Sequence, residues 1–313
     1  MSTERLPWIG EDPASLRLLE LAQKVSAVPT TLLIVGESGT GKDHLARLVH
    51  ELGPRRDAPF LKIDCASLPP QLVESELFGH ERGAFTGAVE RKLGRLELGG
   101  NGTIVLDEVA ALSPGAQGKL LRVLQERTFE RLGGTETLRI EARLMALTNI
   151  DLPAAVSSGL FREDLYFRLN VLTLSVLPLR ERRADILPLA DHLLTALRSV
   201  HGRPGSHLSD ASRRMFGAYA WPGNVRELRN ALERAVVFSN SDALEPDNFP
   251  ENVRAAAPGG AGFIAGLRSL EEVEREVIAA TLEATHYRIS RAAEVLGISR
   301  KTLLEKRKKY GLK

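Results

Sequence analysis

A chain of 313 residues with 43% hydrophobic and 26% charged residues has length for about two domains and the balance of a globular protein, which excludes a fibrous or disordered polymer. No run approaches the roughly 18 apolar residues of a membrane span, Met1-Ser-Thr-Glu-Arg5 lacks the apolar stretch of a secretory leader, and the single cysteine, Cys65, excludes an internal disulfide; a cytoplasmic protein with no membrane partner is expected. The net charge of +2 conceals an asymmetry, because His286 to Lys313 holds nine Lys or Arg against two acids, +7 in all, which leaves −5 for the rest of the chain. Only the tail seeks a polyanion.

In chain order, residues 1–29 combine a hook, Trp8-Ile-Gly-Glu11, with a helical pattern at Leu16, Leu18, Leu19, Leu21 and Val25. The hook either packs on a nucleotide base through Ile9 or caps a sheet, and the residues leave both open. Next comes the stretch that organises the chain, Thr30-Thr-Leu-Leu-Ile-Val-Gly-Glu-Ser-Gly-Thr-Gly-Lys-Asp43: a buried parallel strand, a turn, and a helix with Leu45, Ala46, Leu48 and Val49 on one face. Gly36, Gly39 and Gly41 let successive N–H groups converge, and the helix beginning near Lys42 adds the positive end of its dipole. Gly36, Glu37, Ser38, Gly39, Thr40, Gly41, Lys42 and Asp43 therefore form a phosphate cradle, with Lys42 reaching the β and γ phosphates and Asp43 replacing the Ser or Thr that usually ligates magnesium. A carboxylate there is still a hard oxygen ligand.

A second strand, Phe60 to Ile63, ends in Asp64. In Glu74-Ser-Glu-Leu-Phe-Gly-His-Glu-Arg-Gly-Ala-Phe-Thr-Gly-Ala88, Gly79, Gly83 and Gly87 interrupt helix-like sequence, each costing roughly 1 kcal/mol against alanine in a helix. A surface loop with Phe85 exposed at its tip is expected, a docking point. The third strand, Thr103 to Leu106, ends in Asp107-Glu108, the first acid suited to a magnesium shell and the second to polarising water. Ser113-Pro114 opens a helix with Leu120, Leu121 and Leu124 on one face, and residues 127–141 alternate around Gly133-Gly134 as a hairpin. A fourth strand, Leu144 to Leu147, leads to Thr148-Asn149. Since ligands bind beyond the carboxyl ends of parallel strands, Gly36, Asp64, Asp107, Glu108 and Asn149 converge on one phosphate site.

Arg162 and Arg168, flanked by acids, read either as surface ion pairs or as cations lent to a neighbouring subunit's nucleotide. Val171 to Val176 makes a fifth strand, and Arg180 to Ser239 is helical in pattern, its last helix opened by Trp221-Pro-Gly-Asn224. Residues 255–266 have a linker's composition. Beyond them, Leu270, Val273, Val277, Ala280 and Ala284 form a stripe for pairing with another helix, Ile289, Ala292, Ala293 and Leu296 mark a second helix, and Ser299 caps a third, basic one. This is a helix-turn-helix arrangement, with Ser299, Arg300, Lys301, Thr302, Lys306 and Arg307 as the candidate double-stranded DNA contacts.

Assembled, these residues resemble the NtrC-type bacterial enhancer-binding proteins, AAA+ ATPases that activate sigma-54 RNA polymerase, over nearly the whole chain. Gly36 to Lys42 is similar to that family's Walker A, Gly102 to Glu108 to its Walker B, and Gly83-Ala-Phe-Thr-Gly-Ala88 to its GAFTGA loop, the most specific of these signals. The resemblance implies an α/β fold, an AAA+ P-loop parallel-sheet domain with a helical lid followed by a small all-α Fis-type helix-turn-helix domain, divided as 1–178, 179–254, a linker 255–266, and 267–313. It implies ATP and Mg2+ as cofactors, with Asp43 and Asp107 at the metal. It makes Gly83, Ala84, Phe85, Thr86, Gly87, Ala88 and Arg131 the sigma-54 contacts, Thr148 and Asn149 sensor I, Arg162 and Arg168 arginine fingers in a homo-oligomer from dimer to hexameric ring, and Arg226 sensor II. Asp64 stands where the family usually has an asparagine that switches the Walker B glutamate; if it approaches Glu108, the two carboxylates repel and one tends to hold a proton. No receiver or sensory domain lies ahead of Ile9 in this sequence, so either a separate inhibitory protein supplies control or a longer chain does. The rival reading is a DNA-binding regulator whose AAA+ domain senses nucleotide and acts without sigma-54.

Overall fold

The structure, a computed structural model, describes residues 8–255, 270–285 and 287–312; the expected linker lies, from residue 256 on, outside them. The chain divides into two units, Met1–Gly260 and Ala261–Lys313.

In the first unit, Asp12 caps α1 (Pro13–Ser26) by accepting the Ala14 N–H at 3.0 Å. The face α1 buries is Ser15, Leu18, Ala22 and Ser26, whereas Leu16 and Leu21 of the expected stripe are exposed, because the small residues let the helix lie close on its neighbour. Then follow β1 (Leu32–Val35), α2 (Lys42–Leu52), β2 (Phe60–Asp64) and α3 (Pro70–Phe78). The short strands β3 (Gly79–His80) and β4 (Lys92–Leu93) pair antiparallel at the foot of the 81–91 loop, followed by α4 (Arg95–Leu98) and β5 (Thr103–Asp107). The surface loop expected from Glu74 is therefore shorter: Leu77 and Phe78 are fully buried on α3, and the glycines begin where the helix stops. Ser113 caps α5 (Pro114–Glu126), accepting the Ala116 N–H at 3.1 Å, and the hairpin β6 (Thr128–Glu130) and β7 (Thr137–Arg139) comes next. The sheet is completed by β8 (Arg143–Thr148) and, after α6 (Leu152–Ser157) and α7 (Glu163–Leu169), by β9 (Leu172–Ser175).

Five strands run parallel in the order β2-β5-β8-β1-β9. Alternate side chains serve opposite faces, as strand geometry requires: Leu33, Ile104, Leu106, Leu144 and Ala146 pack toward α3, α5 and α7, and Leu32, Ile34, Val105, Met145 and Leu147 pack toward α1 and α2. This is the α/β parallel-sheet domain expected. Its chain then forms a separate helical core from α8 (Ile186–His201), α9 (Asp210–Ala218), α10 (Asn224–Phe238) and α11 (Glu251–Arg254), with Trp221 and Phe216 fully buried at its centre. The region is not wholly helical: β10 (His207–Leu208) pairs parallel with β11 (Ala243–Leu244).

The second unit holds α12 (Leu270–Ala284), α13 (Ile289–Val295) and α14 (Arg300–Lys309) around Ile278, Leu282, Ala292, Ala293 and Leu303. Gly297, at φ 64°, makes the turn between the last two helices, and the Ser299 Oγ accepts the Thr302 N–H at 3.0 Å to cap α14. The core takes Ile278 and Leu282 from α12, whereas Val277 and Ala280 of the expected stripe are exposed.

Candidate functional site

At the carboxyl end of β1, the turn from Gly36 to Gly41 curls with φ of 156°, 79° and 104° at its three glycines. Gly39 is required twice over, since a Cβ there would lie 2.5 Å from the Gly223 carbonyl as well as straining its backbone. Gly41 precedes the first residue of α2, so the helix's unpaired N–H groups face the turn. The Lys42 ammonium folds back into this cradle, donating to the carbonyls of Gly36 at 2.8 Å and Glu37 at 3.1 Å. Burial pushes its pKa down against the pull of Glu108, Asp107 and Asp43. A buried ammonium hydrogen-bonded to carbonyls is matched to an anion.

A cavity of about 470 Å³ opens over the turn, lined by residues 38–44, Asp107, Glu108 and Arg226, with Trp8 and Ile9 at one side. Trp8 settles neither alternative against the other, for it packs on the sheet's apolar cluster and also lines the cavity, 5.8 Å from the His44 ring and 5.7 Å from the Arg182 guanidinium. The buried Asp185 carboxylate fixes this segment, accepting from the N–H groups of Glu11 and Asp12, both at 2.7 Å, and from the Ser15 hydroxyl.

The acids at the strand ends take distinct positions. Asp43 and Asp107 converge on one cation, the Lys62 ammonium, at 2.5 and 2.7 Å. Burial disfavours the charge on Lys62, and its bonds to Asp107 and Asp43 outweigh that and raise its pKa. Two carboxylates that can share a cation fit Mg2+, which takes one or two carboxylates and completes its octahedron with phosphate and water; among the described residues no cluster of three or more His, Cys, Asp or Glu could hold a metal unaided. Glu108, at φ 52°, is bent out of the strand's conformation, and its Oε2 accepts the Asn149 N–H at 3.2 Å. Asp64 is engaged by its own turn: its Oδ1 accepts from Ala66 at 2.9 Å and Ser67 at 3.1 Å, because a short carboxylate at a strand end satisfies its own turn first. Cys65 beside it is buried, which pushes its thiol up to about 12.

The lid closes directly on the turn. Asn224 donates to the Ser38 carbonyl at 3.1 Å and the Glu37 carboxylate at 3.2 Å, Val225 N–H donates to the Gly39 carbonyl at 2.9 Å, and Arg226 donates to the Ser38 hydroxyl at 2.7 Å. Arg180 grips the Glu37 carboxylate bidentately at 2.6 and 2.8 Å. Arg180 and Asn224 together hold the Glu37 carboxyl well below the usual carboxylate range, at about 2. Neither Arg162 nor Arg168 lines this cavity; both are exposed, Arg162 paired with Asp164 at 2.7 Å and its N–H held by the buried Gln117 at 2.9 Å.

The 81–91 loop leans on the hairpin. Glu81 N–H donates to the Leu132 carbonyl at 2.9 Å, and a Cβ on Gly133 would lie 2.9 Å from the Ala84 Cβ, so only glycine allows that approach. Gly83 N–H donates to the Ala88 carbonyl at 2.8 Å and closes the loop on itself. Thr86 and Gly87 are exposed, but Phe85 is not the bare tip expected: it is half-buried, edge-on to the His80 ring at 5.0 Å, because an apolar ring beside an available aromatic face folds onto it. Arg131 is corrected more strongly. Its side chain is 2% exposed and donates to Glu97 at 2.8 and 2.9 Å, Glu81 at 3.0 Å and Glu136 at 2.8 Å, so it binds hairpin to loop and cannot itself touch a partner in this conformation.

On α14, Arg300 and Lys301 are exposed, while Ser299 and Thr302 are joined in the cap, their hydroxyls 2.8 Å apart. Lys306 is turned inward to Glu274 of α12, and the Arg307 Nε donates to the Leu312 carbonyl at 3.3 Å. Four of the six expected DNA contacts are therefore engaged within the unit itself. Among the described residues no helix is long and apolar enough to cross a membrane.

Sequence reasoning missed Lys62, Arg180 and Asn224 as parts of the site. For Lys62 a signal existed, since it stands two residues before Asp64 on a strand ending at the site and so shares its face. For Arg180 and Asn224, which reach Glu37 from more than 140 residues away, there was none.

Three family models match the chain: the sigma-54 interaction domain over residues 8–175, the AAA+ ATPase lid domain over 180–262, and the bacterial regulatory protein, Fis family, over 269–310. The nitrogen fixation protein AnfA of Azotobacter vinelandii is 43% identical over 97% of this chain and 57% of its own length. The alginate biosynthesis transcriptional regulatory protein AlgB of Pseudomonas aeruginosa is 45% identical over 97% of this chain and 67% of its own. The regulatory protein AtoC of Escherichia coli is 42% identical over 97% and 68%. This chain thus spans little more than half to two thirds of the length of these relatives. Crystal structures of NtrX from Brucella abortus are similar too: the complex with ADP at TM-score 0.75 and 30% identity, covering 98% of this chain and 70% of that one, and the complex with ATP at TM-score 0.73 and 32% identity.

Proposed function

Because the chain belongs to the NtrC-type sigma-54 activators, with an AAA+ domain, its lid and a Fis-type carboxyl unit, we propose that it hydrolyses ATP in an oligomeric ring and uses the energy to remodel a closed complex of sigma-54 RNA polymerase, while the carboxyl unit holds upstream double-stranded DNA. The names of AlgB and AtoC, both regulatory proteins, and the ADP and ATP in complex with NtrX support this reading.

In this scheme the N–H groups of residues 36–42 and the Lys42 ammonium hold the phosphates, and Asp43 and Asp107 would hold Mg2+, which would supply neutralisation of phosphate charge. Glu108, poised by its contact to Asn149, orients the attacking water. Arg226, bonded to the Ser38 hydroxyl, stands beside the phosphates and carries lid position to them. Arg162 and Arg168, exposed and absent from their own cavity, serve the adjoining subunit's nucleotide, a contribution of about 10³ to 10⁵ in rate. Asp64, engaged with Ala66 and Ser67, switches Glu108 only by leaving that turn.

The observation that carries the reading is the loop from Gly83 to Ala88, complete in sequence, self-closed, and seated on the hairpin with Thr86 and Gly87 presented outward. A nucleotide sensor acting without sigma-54 has no use for it. Thr86→Ala should retain ATP turnover and lose open-complex formation at a sigma-54 promoter; a variant that still activates would overturn the assignment in favour of that sensor.

A further inference from the structure

We propose that Lys62 is a built-in counter-cation of the metal site: its ammonium neutralises Asp43 and Asp107 until a divalent ion takes its place, so that metal binding here is an exchange of ammonium for metal. This rests on the nucleotide reading above and adds a residue that governs the metal requirement.

The geometry is specific. Lys62 reaches Asp43 Oδ1 at 2.5 Å and Asp107 Oδ2 at 2.7 Å, the same two acids that fit Mg2+, and an ammonium in contact with both occupies the space between them. The other lysine of the site does not compete, because Lys42 is bonded to the carbonyls of Gly36 and Glu37. Without Lys62 the two carboxylates would face each other uncompensated, with Glu108 close behind, which raises the free energy of the metal-free site. A divalent ion and an ammonium cannot both sit between the same two oxygens. Release of the ammonium is easy, since β2 lies at one edge of the sheet and the Lys62 side chain is already 37% exposed, so its head regains water by rotating outward. The net effect is a site that is held together without metal, and that admits metal only against the cost of parting an ion pair.

Two measurements test the exchange. First, Mn2+ binding in the presence of ADP, followed by the electron paramagnetic resonance signal of free Mn2+, should be about tenfold tighter in Lys62→Met than in the wild type, the order expected when a charge-assisted contact no longer competes. ADP binding in EDTA should weaken in the same variant, because the pocket gains a net negative charge, whereas Lys62→Arg should keep the wild-type metal affinity. Second, in the unmodified protein, acetylation of Lys62 by a limiting amine reagent, read by mass spectrometry, should increase when Mg2+ and ADP are added together and not when ADP is added in EDTA. Unchanged Mn2+ affinity in Lys62→Met, or a Lys62 equally or better protected with Mg2+ and ADP, overturns the exchange while leaving the nucleotide site standing. Failure of the wild type to bind ADP under either condition removes the nucleotide reading and this inference with it.

Discussion

Arg131 shows how a residue's type can be legible and its task not. Its guanidinium has five donors in a rigid fork, and here they are spent on Glu97, Glu81 and Glu136, with the Glu97 bonds raising its pKa most. Arg131→Ala would leave three carboxylates gathered about an empty centre; because these acids are partly exposed and regain water, losing the charge-assisted bonds costs about 2 kcal/mol. The expected result is a clear drop in thermal midpoint, with Arg131→Lys recovering little, since one ammonium cannot bridge the same three acids; full rescue by lysine in a calorimetric melt would refute the clamp. Lys62 teaches the same lesson, since the two acids it meets, Asp43 and Asp107, lie on other elements.

Among the elements, α10 is where the sequence pattern was most economical and least informative. Pro222 and Asn224 were start signals, and the helix does begin at Asn224, but that residue, at φ 52° and fully buried, caps nothing: it spends its amide on the phosphate-binding turn and accepts the Leu179 N–H at 2.9 Å. Lid and turn are therefore one hydrogen-bonded body, completed by the Arg180 pair to Glu37. The folded-state pKa of Glu37, about 2, lies below its ordinary value of 4.5, so the stability this pair contributes is complete above about pH 4.5 and is lost as pH falls toward 2. Both partners are some two-fifths exposed, and solvent screening keeps the contribution to about 1 kcal/mol or less. Wild type and Arg180→Ala should differ in urea midpoint at pH 7 and converge as pH is lowered to about 2; a gap that widens with acid would contradict the pairing.

For the whole molecule, the two units carry opposite charge and separate cores, so they should be separable in function. Removal of residues 261–313 should abolish DNA binding and leave ATP turnover, and binding by the intact chain should weaken with salt at a slope of roughly −0.9 per phosphate neutralised. The inward turn of Lys306 and Arg307 lowers the number of phosphates expected, and a slope demanding all of α14's basic residues would show that those ties open on DNA. What the sequence by itself determined was the strand periodicity, the glycine turn and its lysine, the acids at strand ends, the glycines of the loop and the cap of the basic helix. Those follow from backbone conformation and burial, which a few consecutive residues decide. Only the tertiary structure decided which charges meet. Ion pairs such as Lys62 with Asp43 and Asp107, Arg131 with Glu97 and Glu81, and Arg180 with Glu37 join residues distant in the chain, and a charged side chain's partner is set by where the packed elements place it, since its charge alone is satisfied equally well by water or by any opposite charge within reach.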